Sequence, residues 1–113
     1  MIVDKGGQNG NWIDPSGTGM FTYFIQKGVE LGLLDKAEYE GVARRGWEAL
    51  QPFAKINDSG LVDIRGGGDG IGIMRDFNSY VSVRRQVNAK ETVGAFLWAS
   101  AIMEQPELEK TRK

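Results

Sequence analysis

The sequence predicts a mainly α-helical fold in which two enclosed helices are separated along the chain by one helix that faces solvent on one side. Residues 17–33 and residues 91–105 carry apolar side chains around most of a helical circumference, whereas residues 36–53 carry them on one face only. A helix that is apolar all round needs cover on every side, and a one-sided helix belongs to an outer layer. This alternation predicts part of a toroid of helical hairpins, with inner helices ringed by outer ones.

The first helix is predicted over residues 17–33, after a polar turn that can cap it. Asp14 and Ser16 are both residue types that accept a hydrogen bond from the first N–H groups of a helix. Gly28 and Gly32 would let a neighbouring backbone come close, although Gly32 can equally serve to end the helix. The apolar positions that need cover are Met20, Phe21, Phe24, Ile25, Val29 and Leu31.

The second helix is predicted over residues 36–53, where Asp35 and Glu38 have the spacing of a capping box. Apolar residues recur at spacings of three and four on one face, and charged residues occupy the other face. The helix therefore belongs on the outside of whatever encloses the first one. Its apolar face consists of Val42, Ala43, Gly46, Trp47, Leu50 and Phe53.

Two β-like runs, residues 61–64 and residues 80–83, are predicted to give a short β-hairpin region after a turn at residues 57–60. The glycine-rich run at residues 66–72 lies between them. It matches neither the dinucleotide fingerprint nor the Walker phosphate loop, so a flexible loop is favoured over a phosphate cradle. Three aspartates in this region do not have the spacing of a calcium loop: Asp63, Asp69 and Asp76.

The last helix is predicted over residues 91–105, with a thin polar line on an otherwise apolar surface. Proline has no N–H to continue a helix, so Pro106 is predicted to stop it and residues 107–113 to form a frayed tail. The side chains of these two inner helices that a three-helix chain would leave uncovered are predicted to be Phe21, Phe24, Ile25, Phe96, Trp98 and Ile102.

The composition narrows the possible functions. The chain has 113 residues, 14 basic and 15 acidic side chains, a net charge of −1, and neither cysteine nor histidine. A chain with a net charge near zero has no overall positive electrostatic potential to attract the phosphates of nucleic acid. No segment is both apolar and long enough to indicate a membrane span. Disulfides, thiolates and imidazoles are excluded, so catalysis would depend on carboxylates, lysine or tyrosine. Residues 1–10 lack the pattern of a signal peptide and read as a segment between elements of a larger domain; the compartment is left open.

Two sets of residues along the chain carry a family resemblance. The first set is Ser16-Gly17, Met20-Phe21, Lys27-Gly28 and Gly32-Leu33-Leu34-Asp35. The second set, in the last predicted helix and the loop before it, is Asn88, Val93-Gly94, Phe96, Ala99-Ser100 and Met103-Glu104. Both sets resemble elements of the unsaturated glucuronyl and rhamnogalacturonyl hydrolases of glycoside hydrolase families 88 and 105, the second set in that family's closing helix. The resemblance covers residues 12–104.

The resemblance implies an (α/α)6 barrel, the six-hairpin toroid of glycosidases, of which this chain holds three main helices and a short β-hairpin. Residues 1–113 are then expected to be a single C-terminal fragment of the barrel domain. The expected partners are the missing N-terminal hairpins or, in their absence, other copies of the chain. Nucleic acid and membranes are not expected as partners.

The resemblance also implies a reaction. The family hydrates the 4,5-unsaturated uronic acid of oligosaccharides left by polysaccharide lyases: an aspartic acid protonates the vinyl ether double bond, water adds at the adjacent carbon, and the hemiketal opens to release the next sugar. No metal or other cofactor is implied. The family's catalytic aspartates lie upstream of the matched part, so no catalytic residue is assigned here, and whether the chain is itself an enzyme stays open.

Six residues are candidates for a substrate-binding wall. Trp12, Asp14 and Ser16 lie in the turn before an inner helix, where an aromatic face and a helix N-terminus suit a sugar carboxylate. Their alternative role is only to pack and to cap. The other three candidates flank the loop before the last helix, and the alternative for them is a solvated loop without function: Tyr80, Asn88 and Lys90.

Three further points stay open at this stage. Lys90 stands one position from the commonest family spacing. Arg84 and Arg85 can meet a carboxylate or a sulfate, although such a pair after a strand is usually plain surface. The alternative to a hydrolase is a non-catalytic helical module that binds carbohydrate, or a partner helix, through the surface that the missing hairpins would cover.

Overall fold

The computed structural model describes residues 2–112, and the side chains of these residues except 106–108. Helices dominate it, as predicted. The α-helices are α1 (Pro15–Glu30), α2 (Lys36–Leu50), α3 (Phe77–Val81) and α4 (Lys90–Thr111), and short 3-10 turns lie at Val3–Lys5 and Gln51–Phe53. The strands are β1 (Ala54–Ile56), β2 (Val62–Ile64), β3 (Gly67–Gly68) and β4 (Arg85–Gln86).

Helix α1 ends at Glu30, earlier than predicted, because Gly32 terminates it. Gly32 has a φ of 69°, and the N–H of Leu33 donates to the carbonyl of Gly28 at 2.8 Å. This pair of features is a Schellman motif, which satisfies the last carbonyls of a helix. The terminating role of Gly32 is thus confirmed. The close approach predicted at Gly28 involves a side chain and no neighbouring backbone: an added Cβ would lie 2.8 Å from Cδ1 of Leu34.

Helices α1 and α2 form a tightly packed hairpin. The Asp35 carboxylate accepts from the N–H of Glu38 at 3.0 Å, which confirms the predicted cap of α2. Leu50 is fully buried, and Gly46 leaves just enough room for the side chain of Thr22 on α1. The opposite face of α2 is solvent-exposed, as a one-sided outer helix requires. Helix α2 ends at Leu50 because Pro52 lies in the 3-10 turn that follows.

Helix α4 packs against the other side of α1. A Cβ added at Gly19 would come within 2.9 Å of the backbone of Ala95, so the two helices approach closely at that point. Helix α4 continues to Thr111, and the prediction that Pro106 stops it is wrong. Proline removes one helical hydrogen bond, and the backbone on both sides keeps its helical conformation. The predicted tail is therefore helical up to Thr111, and Lys113 lies outside the described residues.

The β-structure comprises two separate antiparallel ribbons. Strand β2 pairs with β1, with Ala54 opposite Ile64, and β3 pairs with β4, with Gly68 opposite Arg85. The strand predicted at residues 80–83 is wrong, because Tyr80 and Val81 end α3. The Asp76 carboxylate accepts from the N–H and the hydroxyl of Ser79, and this local cap outweighs the strand propensity of Tyr and Val.

Helices α1 and α4 share an apolar surface that nothing among the described residues covers. Phe21 is 62% exposed, Phe24 57% and Trp98 53%. The rings of Phe24 and Trp98 are 6.3 Å apart, and Tyr23 contacts both. We call Phe21, Tyr23, Phe24 and Trp98 the aromatic surface.

The predicted set of uncovered side chains is only partly right. Ile102 is buried at 5% exposure, and Ile25 and Phe96 are half-buried, with the ring of Phe96 5.3 Å from that of Trp47 on α2. In the part of the chain that the structure describes, no helix is both long and apolar enough to cross a membrane.

Candidate functional site: a groove at the start of α1

An open groove of about 630 Å³ lies where α1 begins, between that helix, the glycine-rich loop and α3. Asp14, Ser16 and Tyr80, three of the predicted site residues, line it together. The remaining lining residues are Ile2, Met20, Gly68, Gly70, Ile71, Gly72 and Glu91. Trp12 lies beside it, in an adjoining hollow that shares Asp14.

Asp14 holds the start of α1. Its carboxylate oxygen Oδ1 accepts from the N–H of Ser16 at 3.0 Å and from the Ser16 hydroxyl at 2.8 Å, and its carbonyl accepts from the N–H of Thr18 at 3.1 Å. Pro15 occupies the first helical position and has no N–H. The Asp14 charge also offsets the positive end of the helix dipole. The helix start is thus largely satisfied internally, which weakens the idea that its N–H groups bind a sugar carboxylate.

Trp12 is half-buried and fixed at both its edge and its face. Its indole Nε1 donates to the carbonyl of Val81 at 3.1 Å. The guanidinium carbon of Arg85 lies 5.3 Å from the ring centroid, which is within the range of a cation–π contact. Gly68 lies beside the ring, since an added Cβ there would be 3.4 Å from the indole Cη2. Trp12 therefore joins the start of α1 to the β3–β4 ribbon.

Tyr80 anchors the glycine-rich loop that forms the far wall of the groove. Its hydroxyl accepts from the N–H of Met74 at 3.0 Å. At the other end of the loop, the N–H of Asp69 donates to the carbonyl of Arg84 at 2.8 Å, and the Asp69 carboxylate accepts from Gln86 at 2.8 Å. The loop is thus tied down at both ends over the groove.

Asn88 and Lys90 lie elsewhere, so the structure does not bring the six candidates together. Asn88 has a φ of 58°, and its side chain accepts from the N–H of Ile64 at 2.9 Å and donates to Asp63 at 3.0 Å. These contacts attach the loop before α4 to β2. Lys90 lines a second, mainly apolar groove of about 600 Å³, whose other residues are Val62, Ile64, Asn88, Val93, Phe96, Leu97 and Ser100.

The pKa of the Asp76 carboxyl group is lowered by the contacts that cap α3. Hydrogen bonds from the backbone and then the side chain of Ser79, with a further one from Arg75, lower the pKa of Asp76 below its usual value. Asp76 is the cap of α3 and is exposed, so this lowered pKa follows from its capping contacts. Among the described side chains, which exclude those of residues 106–108, no group of three Asp or Glu is arranged to hold a metal ion.

Two features in and beside the groove are not predicted from the sequence. The sequence presents Arg85 only as one of two arginines after a strand, and its contact with Trp12 depends on a ribbon between residues far apart in sequence. Glu91 was placed in the last helix without a role, and it lines the groove wall. The sequence pattern predicts a strand at residues 80–83, whereas the structure has it at Arg85–Gln86.

The helices together form part of a helical toroid. The sequence profile of Glycosyl Hydrolase Family 88 matches residues 1–106, and the chain belongs to that family. A solved structure of a family 105 glycoside hydrolase from C. acetobutylicum ATCC 824 is similar at 28% sequence identity with a TM-score of 0.81. The match covers 89% of this chain and 30% of that one, so the chain spans less than a third of the length of that structure.

Proposed function

We propose that this chain forms part of the substrate-binding wall of a glycoside hydrolase that hydrates terminal 4,5-unsaturated uronic acids on lyase-generated oligosaccharides. The observation that carries the proposal is the position of the groove. The groove lies at the turn and the start of α1, where Ser16, Gly17 and Met20 resemble residues of the family. The chain itself belongs to family 88. The substrate class is the one that the family resemblance implies.

The reaction needs a proton donor that we place outside this chain. In the proposed step, an aspartic acid gives its proton to one carbon of the double bond, and water adds its hydroxyl group to the other carbon and returns its remaining proton to the aspartate; the hemiketal then opens and the next sugar leaves. The contribution of the chain is to orient the sugar. Tyr80 and Ser16 line the groove, and hydroxyl side chains suit the hydroxyl groups of a sugar; Trp12, held by its hydrogen bond to Val81, lies beside the groove.

The remaining helices of the toroid are the proposed partner of the aromatic surface. Full burial of a large apolar side chain contributes roughly 1.5–3 kcal/mol, and Phe21, Phe24 and Trp98 are each more than half exposed. Covering these three rings would gain several kcal/mol, which is a large share of the stability of an ordinary domain. Without those helices, we expect copies of the chain to cover the surface for one another.

The test follows the ultraviolet absorbance of an unsaturated uronyl disaccharide, which disappears when the double bond is hydrated. We expect no loss above the no-protein control for the chain alone, and turnover when the chain is joined to the remainder of a family 88 barrel. Replacing Ser16 by Ala in the joined protein should lower the rate. Turnover by the purified chain alone would contradict the assignment of the proton donor, and a joined, folded protein that leaves the disaccharide intact would contradict the substrate class.

A further inference from the structure

We propose that the groove at the start of α1 selects an uncharged sugar unit, and that Glu91 contributes to this selection. The inference rests on the proposed function, because it concerns which sugar of the oligosaccharide this wall accepts. The unit in the groove carries hydroxyl groups and neither a carboxylate nor a sulfate. The groove therefore accepts the sugar that follows the unsaturated uronate, and the uronate itself, which is an anion, lies outside it.

The polar side chains of the groove offer a ligand more hydrogen-bond acceptors than donors. Asp14 uses the oxygen Oδ1 for Ser16, and no described residue bonds its other carboxylate oxygen. The Ser16 hydroxyl donates its proton to that Oδ1 at 2.8 Å, so only its lone pairs are left for a ligand. Tyr80 supplies a free donor, because its hydroxyl oxygen accepts from the N–H of Met74 at 3.0 Å and its proton stays available. This balance suits a ligand that donates hydrogen bonds, as sugar hydroxyl groups do.

Glu91 adds a second acidic residue to the same groove. It lies in the first turn of α4 and is exposed. Its two neighbours in the chain lie elsewhere, since Lys90 lines the second groove and Thr92 is buried against Gly67. Within the described part of the chain, the Glu91 carboxylate has no hydrogen bond or ion pair. Both of its oxygens are therefore free to accept from a sugar.

The charge of the groove disfavours an anionic ligand. Its described lining contains Asp14 and Glu91 and neither lysine nor arginine. The Arg85 guanidinium lies over the Trp12 ring, which lines the adjoining hollow. A carboxylate or sulfate in the groove has no proton to give to the free acceptors, and like charges placed side by side repel each other. The same two acidic residues that accept from a neutral sugar therefore reject a charged one, which is specificity by repulsion.

The test titrates the 113-residue chain with two unsaturated uronyl disaccharides that differ only in one sulfate on the second sugar. Both carry the same uronate carboxylate, so the difference between their affinities reports the charge of the second sugar alone. Nuclear magnetic resonance shifts of the backbone N–H groups of Ser16 and Gly70, which line the groove, locate and measure the binding. The variants are Glu91→Gln and, as the matched control, Glu48→Gln, which removes an equal charge from the exposed face of α2.

We expect the unchanged chain to bind the unsulfated disaccharide about tenfold more tightly than the sulfated one, because a charge is brought close to two acidic residues in a solvated groove. Glu91→Gln should narrow this ratio to about threefold, since one of the two repulsions is removed, and Glu48→Gln should leave it unchanged. Equal binding of the two disaccharides, tighter binding of the sulfated one, or equal ratios in both variants would overturn the selection and leave the proposed function intact. Failure of a folded chain to bind either disaccharide would contradict the groove as a sugar site, and the selection with it.

Discussion

The two sides of α1 differ in how completely they are packed. Toward α2, Thr22 is buried against Gly46, and Leu50 and Ala43 are inaccessible to solvent. On the aromatic surface, Phe21 and Phe24 of the same helix stay more than half exposed beside Trp98. This contrast between close packing on one side and bare aromatic rings on the other is the basis of our proposal that further helices of the toroid cover the aromatic surface.

The largest expected effect tests the packed side. Replacing Leu50 by Ala should lower the free energy of unfolding by about 2–5 kcal/mol, because a fully buried side chain is lost and a cavity remains. Leu33 is the matched control, since it is 76% exposed and its change to Ala should cost little. Urea denaturation of both variants measures the difference. Equal losses would mean that the α1–α2 hairpin is not packed as described.

The next effect tests the contact between α1 and α4. Changing Gly19 to Ala should destabilise the chain by about 1–3 kcal/mol, because the new methyl group meets the backbone of Ala95, which cannot move aside as a side chain can. Gly17 lies in the same helix with open space around it, so its change to Ala should be neutral or stabilise by up to about 1 kcal/mol. If α4 packed elsewhere, the Gly19→Ala and Gly17→Ala variants would have the same melting temperature.

A smaller effect separates capping from substrate binding at Asp14. Replacing it by Ala removes the hydrogen bonds to Ser16 and should cost roughly 0.5–2 kcal/mol of stability. In the chain joined to the rest of the barrel, Asp14→Ala should also lower kcat/KM at temperatures well below the melting temperature, where the variant is still folded. A variant that loses stability alone would leave Asp14 as a cap.

The smallest effect is local and depends on pH. The pKa of Asp76 is lowered in the folded chain, so its stabilisation of α3 is fully present above the unfolded pKa of 3.8 and is lost as the pH falls through the folded pKa. Amide hydrogen exchange at Ser79 should therefore lose protection in acid, while Asp76→Asn should show no such step. Protection that is independent of pH in the unchanged chain would contradict the cap.

Local signals in the sequence predicted the helices well and the site only in part. The capping box at Asp35 and the one-sided pattern after it identify α2, because caps and periodicity are encoded within a few residues. The ribbon that pairs Gly68 with Arg85 depends on residues far apart in sequence, so the contact of Arg85 with Trp12 could not be read from local spacing. The same limit explains why Asn88 and Lys90 were grouped with Tyr80, from which the structure separates them.

Sedimentation velocity of the chain over a range of micromolar concentrations tests most directly whether the aromatic surface is an unfilled interface. We predict concentration-dependent self-association together with binding of an apolar dye, and a reduction of both when Phe24 and Trp98 are replaced by Ser. Ile56→Ser is the matched control, since Ile56 is 78% exposed outside the aromatic surface and should leave the association unchanged. A sharply melting monomer at every concentration, with no dye-binding surface, would contradict the account and show that α1 needs no further neighbours.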